Sequence, residues 1–123
     1  MGRDFFTRNN MKIYIAGKVT GLLYHEAVIK FAFTEQQLIA AGIDAANIIN
    51  PISHVPEGTE WPEAMEICLP LLRTCTAIFI QRDWFTSDGT RIEIDKAREQ
   101  NMDLFWEQTN GIKKIKNLIE TGI

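Results

Sequence analysis

The chain is poor in cysteine, and Cys68 and Cys75 are its only two. Two thiols without a secretory leader predict a reducing, cytoplasmic setting and buried free thiols rather than a disulfide scaffold. Histidine is as scarce. His25 and His54 lie far apart and neither has a cysteine nearby, so no zinc set is expected, and no other metal or cofactor either. No apolar run is long enough to span a bilayer, which argues against a membrane partner. A basic excess is also missing: 13 Lys and Arg stand against 16 Asp and Glu, a net charge of −3. That balance argues against a nucleic-acid polymer as partner. The Walker pattern and the dinucleotide GxGxxG fingerprint fail, and no Ser-His-Asp or Cys-His arrangement is apparent.

What remains is a chain of 123 residues, 46% hydrophobic and 24% charged, a size and balance suited to one globular domain. Residues 1–10 have no period and read as a disordered appendage, leaving residues 11–123 as the domain. Apolar, β-branched and aromatic runs predict strands over 12–16, 46–50, 76–81 and 103–106. Helical periods predict helices over 24–41, 61–74 and 90–101, with a short terminal helix carrying Ile112, Ile115, Leu118 and Ile119. Strands that are continuously apolar and alternate with helices predict a small doubly wound α/β domain, a parallel sheet in a flavodoxin-like three-layer sandwich. Its ligand should sit at the carboxyl ends of the strands, where loops 17–21 and 82–89 emerge.

Chemistry-bearing residues gather at those two loops. On the helix from Thr90, a 100° step puts Thr90, Glu93, Ile94, Ala97 and Asn101 on the inward stripe. Glu93 is then either a catalytic carboxylate near a helix N-terminus or an edge glutamate pairing with Lys96 or Arg98. Ser87, Asp88 and Gly89 form a turn and cap that can also offer backbone N–H groups to an anion. Gly17, Lys18, Thr20 and Gly21 follow the first strand and suit phosphate or sugar hydroxyls, or an ordinary turn. Trp61, Trp84 and Phe85 either stack on a nucleobase or cover the core rim. Cys68 and Cys75 fit the apolar face of their helix as core.

The segments YIAGKVTG at 14–21 and NP at 50–51, Trp61 with Met65, and S-x-G-T-x-x-E at 87–93 followed by Ala97 resemble the nucleoside 2-deoxyribosyltransferase-like superfamily. Within it they are most similar to a small bacterial and phage branch known only as a domain of unknown function. The resemblance runs from Met11 to Trp106. It implies N-glycosidic cleavage or deoxyribosyl transfer on a nucleotide or deoxynucleoside. Glu93 would attack C1′, with Tyr14 beside it, and the first loop and Ser87 would hold a 5′-phosphate. It also implies sites shared between subunits, hence a homodimer or larger homo-oligomer, with helix 24–41 or 61–74 at the contact. One departure stands out. Where characterised members carry an aspartate before the third strand, this chain reads CLPLLRTCT over 68–76, leaving Asp83 or Glu66 as the substitute acid. A non-catalytic nucleotide-binding module is the alternative function.

Overall fold

The structure is a computed structural model and describes residues 11–122; the appendage over 1–10 lies outside the described residues. Four strands, β1 (Ile13–Ala16), β2 (Ile48–Ile49), β3 (Ala77–Ile80) and β4 (Asp103–Trp106), form one sheet in the order β2-β1-β3-β4. Every pairing is parallel: Tyr14 lies opposite Ile49 and Ile78, and Phe79 opposite Phe105. β1 and β3 are central and fully buried, as continuous apolar runs require when both faces of a sheet are covered.

Four helices supply that cover: α1 (Tyr24–Ala40), α2 (Trp61–Leu72), α3 (Asp88–Glu99) and α4 (Gly111–Thr121). Side chains alternate along a strand, so each strand feeds two cores. Ile13, Ile15, Ala77 and Phe79 meet Phe31 and Leu38 of α1 and Ile115 of α4. Tyr14, Ala16, Ile78 and Ile80 meet Cys68 and Leu72 of α2 and Ile94 and Ala97 of α3. The result is the small doubly wound α/β sandwich that the strand–helix order predicts. Among the described residues no helix is long and apolar enough to cross a membrane.

The element boundaries differ from the sequence pattern where a side-chain cap competes with the regular element. The second strand shrinks to two residues because Asp44 accepts the Ala46 N–H at 3.0 Å and winds Ala45–Asn47 into a 3-10 turn. Asn50 does the same for Pro51–Ser53, accepting the Ile52 N–H at 3.0 Å. The third helix starts at Asp88, two residues early, because Ser87 is its N-cap. That helix stops at Glu99, and Asn101 turns left-handed at φ 57° and is exposed, so it drops out of the inward stripe. β1 is followed in the chain by β2 on one side and joined by β3 on the other. A crevice therefore opens outside the carboxyl ends of β1 and β3, the switch point of such sheets.

Candidate active site

The floor of that crevice is a tyrosine–glutamate pair. Tyr14 projects from β1 toward α3 and is fully buried. Glu93 shares its stripe with the buried Thr90, Ile94 and Ala97 and is only 6% exposed. The Tyr14 hydroxyl donates to Oε2 of Glu93. The outward alternatives are taken: Lys96 pairs with Glu99 at 3.6 Å, and the Arg98 guanidinium lies 5.9 Å from the centre of the Trp106 ring. Glu93 therefore faces inward.

Burial controls the titration of this floor. It pushes the Glu93 carboxyl up to about 7, with the Tyr14 hydrogen bond pulling the other way. Tyr14 is raised well above its ordinary 10, first by burial and then by the Glu93 charge. Cys68, also on the cleft wall, is pushed up to about 11 by burial and stays a thiol. Glu93 is thus a carboxylate that exchanges its proton near neutrality, beside a tyrosine that keeps its own.

The mouth is built by the two loops. Ser87 Oγ accepts the Thr90 N–H at 3.2 Å and the Thr90 hydroxyl at 2.8 Å, so its single proton is left to donate outward. This caps α3 and turns the helix N-terminus toward the crevice. Gly89 admits the Trp61 ring: a Cβ there would lie 3.1 Å from the indole nitrogen and 3.2 Å from Met65 Sδ. Across the mouth, a Cβ on Gly17 would fall 1.8 Å from Gln81 Oε1, so only glycine fits at the end of β1.

Two adjoining cavities result. A cleft of about 170 Å³ reaches Tyr14 and Glu93 and is walled by Tyr24, Pro51, Val55 and Trp61. A second, of about 350 Å³, is lined by Lys18, Thr20, Thr86, Ser87, Asp88 and Gly89. Thr20, Trp61, Ser87 and Gly89 line both, which makes one site with a mostly apolar inner end and a polar mouth.

Most of the residues singled out in the sequence meet here: Tyr14, Gly17, Lys18, Thr20, Trp61, Ser87, Asp88, Gly89 and Glu93. Asp88 lines the mouth but is exposed and salt-bridged to Arg91. Others fall outside both cavities. Gly21 serves the turn, with φ +93°. Asp83 is not a free acid at the cleft; its carboxylate is committed to Lys30 and to the Lys18 backbone. Trp84 packs edge-on against Trp106 at 5.2 Å, donates from its indole to Gln108 and lines neither cavity. Arg82, at the start of the 82–89 loop, pairs with Glu107 at 3.4 Å. Sequence reasoning missed Gln81 and Lys30. Gln81 continues a buried strand, and Lys30 sits on a helix whose other face carries the core, so neither has a local signal. Among the described residues, no group of three or more His, Cys, Asp or Glu could hold a metal ion.

Fold and site together define a class: a doubly wound α/β domain with a buried, hydrogen-bonded carboxylate at the sheet's carboxyl edge, beneath a capped helix N-terminus. Within it, the model of the domain of unknown function DUF4406 matches residues 11–114, and the chain belongs to that family. No curated protein and no solved structure matches the chain.

Proposed function

We propose that this chain cleaves or transfers at the N-glycosidic bond of a nucleotide or deoxynucleoside, with Glu93 as nucleophile, as the resemblance to the nucleoside 2-deoxyribosyltransferase-like superfamily implies. The observation that carries the reading is the Tyr14–Glu93 pair in a cleft that shares Ser87 and Gly89 with the polar mouth, Glu93 standing four residues, about 6 Å, along α3 from Gly89. That span suits a sugar whose 5′-phosphate meets Ser87 and the helix N-terminus while C1′ reaches Glu93.

A Glu93 oxygen bonds to C1′ as the C1′–N bond breaks. The bonding pair leaves with the base, whose nitrogen takes a proton from solvent or a neighbouring group. The ester that forms is then opened by water, releasing the sugar, or by a second base, completing transfer. The Tyr14 hydroxyl holds the attacking carboxylate in place and stabilises its charge. The direct test is a panel of deoxynucleoside 5′-monophosphates assayed for free base by chromatography.

One observation favours a second reading, a nucleotide-binding module without turnover. With Asp83 locked away, Glu57 is the one carboxylate besides Glu93 among the described residues lining the inner cleft. Binding of a monophosphate with no base release selects the module, and no binding rejects both readings.

Two expectations belong to this proposal. Ser87→Ala removes an outward donor, so the preference for a nucleotide over its nucleoside falls by about 1–3 kcal/mol in paired titrations. Comparing the two ligands cancels the loss of the helix cap, which affects both. The chain should also form homo-oligomers. Ile29 and Phe33, one turn apart on α1, are 65% and 64% exposed on the side away from the core, an apolar face suited to a second copy. Light scattering at micromolar concentration should give at least twice the monomer mass; monomer alone counts against it.

A further inference from the structure

We propose that Lys30 and Asp83 form a latch that holds the backbone of Lys18 at the mouth of the cleft, acting as positioning residues that do not touch the ligand. Asp83 Oδ1 accepts the Lys18 N–H at 3.1 Å. Lys30 Nζ donates to the Lys18 carbonyl at 2.7 Å and to Asp83 Oδ2 at 2.7 Å. Both backbone groups of one loop residue are therefore satisfied by two side chains that are themselves paired. Loop groups of this kind ordinarily bond to water. Here they are tied to α1 through Lys30 and to the loop after β3 through Asp83.

The latch rests on a rigid seat. Gln81 donates to the Thr34 hydroxyl at 2.9 Å and more weakly to the Lys30 carbonyl at 3.4 Å, and its side chain fills the space beneath Gly17. Lys30 and Asp83 are 27% and 31% exposed, so solvent screens their pairing less than it would a surface pair. Burial lowers the Lys30 ammonium pKa, and the Asp83 partner works against that fall. What the latch positions is the surface of the mouth: Lys18, whose backbone it holds, and Thr20, two residues on in the same loop, both line it.

Geometry and charge make opposite demands, which separates positioning from a plain field effect. Removing Lys30 takes a positive charge from beside the mouth, and removing Asp83 takes a negative one. A field effect would weaken anion binding in the first variant and strengthen it in the second. A latch weakens it in both.

The test uses the full chain with Lys30→Met and Asp83→Ala, and the milder Lys30→Gln and Asp83→Asn. The first measurement is amide hydrogen exchange by NMR. Exchange at Lys18 should rise at least tenfold in Lys30→Met and Asp83→Ala, and by less in the milder pair, with Ile15 and Phe79 unchanged. The second compares binding of a deoxynucleoside 5′-monophosphate with that of its deoxynucleoside; the preference should fall at least fivefold in both Lys30→Met and Asp83→Ala. Unchanged Lys18 exchange overturns the latch. Equal acceleration at Ile15 and Phe79 in all four variants also overturns it, by making the pair a global stabiliser. Tighter monophosphate binding by Asp83→Ala reduces it to a field effect. The binding arm rests on the nucleotide reading above and the exchange arm does not. If the unmodified chain binds neither probe, that reading fails and exchange alone decides the latch.

Discussion

Glu93→Gln should release free base from a deoxynucleoside monophosphate at least about a thousandfold more slowly than the unmodified chain, while still binding it. Glutamine keeps the shape of the side chain and can still accept from Tyr14. It cannot carry the negative charge that bonds to C1′, so the loss falls on turnover rather than on affinity. Rates from single-turnover base release, set beside Kd from titration, separate the two. The same comparison for Tyr14→Phe should give a smaller loss, because the hydroxyl orients and stabilises the attacking oxygen without forming the new bond. Undiminished release by Glu93→Gln would remove Glu93 from the chemistry whatever the fold.

The same substitution should stabilise the protein above neutral pH and leave it unchanged in acid. A free glutamate titrates near 4.5, and burial moves Glu93 to about 7. Below 4.5 the carboxyl is protonated in the folded and unfolded chain alike, and nothing is lost. Between 4.5 and about 7 the folded state holds more proton than the unfolded state, so stability falls as pH rises. Above about 7 the full cost of a buried charge is present, about 3 kcal/mol over that interval. Glu93→Gln escapes it. Thermal unfolding should then give a Tm about 10 °C higher than the unmodified chain at pH 8, with the gap closing at pH 4.5. An equal gap at both pH values would mean that Glu93 is not charged against its surroundings. On the proposed function, that cost is the stability given up for a charged nucleophile.

The inward face of Glu93 was legible because a 3.6-residue period is local, and twelve helical residues set the stripe on which Thr90, Ile94 and Ala97 are also buried. β1 and β3 were legible for the same reason, as short continuous apolar runs. What escaped was long-range pairing. Nothing near Asp83 announces that its carboxylate meets a lysine 53 residues earlier in the chain, and a lone aspartate after a strand reads equally well as an acid. Trp84 looked available for stacking because its partner Trp106 lies far along the chain, on β4. The short β2 was misjudged because Ala45–Asn47 is capped from Asp44, a contest between side chain and backbone that apolar runs do not report. The assignment of the substrate came from the resemblance and not from periodicity, and it stands as the proposal tested above.

The hydrogen bond between Tyr14 and Glu93 joins residues 79 positions apart. The two share no local element, so the pair assembles only after β1 and β3 have zipped together and α3 has docked on their shared face. Closing so wide a span is among the slower steps in forming a parallel sheet. Until it happens, Glu93 is a solvated side chain with an ordinary acidity, and Tyr14 is an ordinary phenol. The change in acidity near neutrality is therefore a signature of completed folding, and an NMR titration of the Glu93 carboxyl would count native molecules in a mixed population.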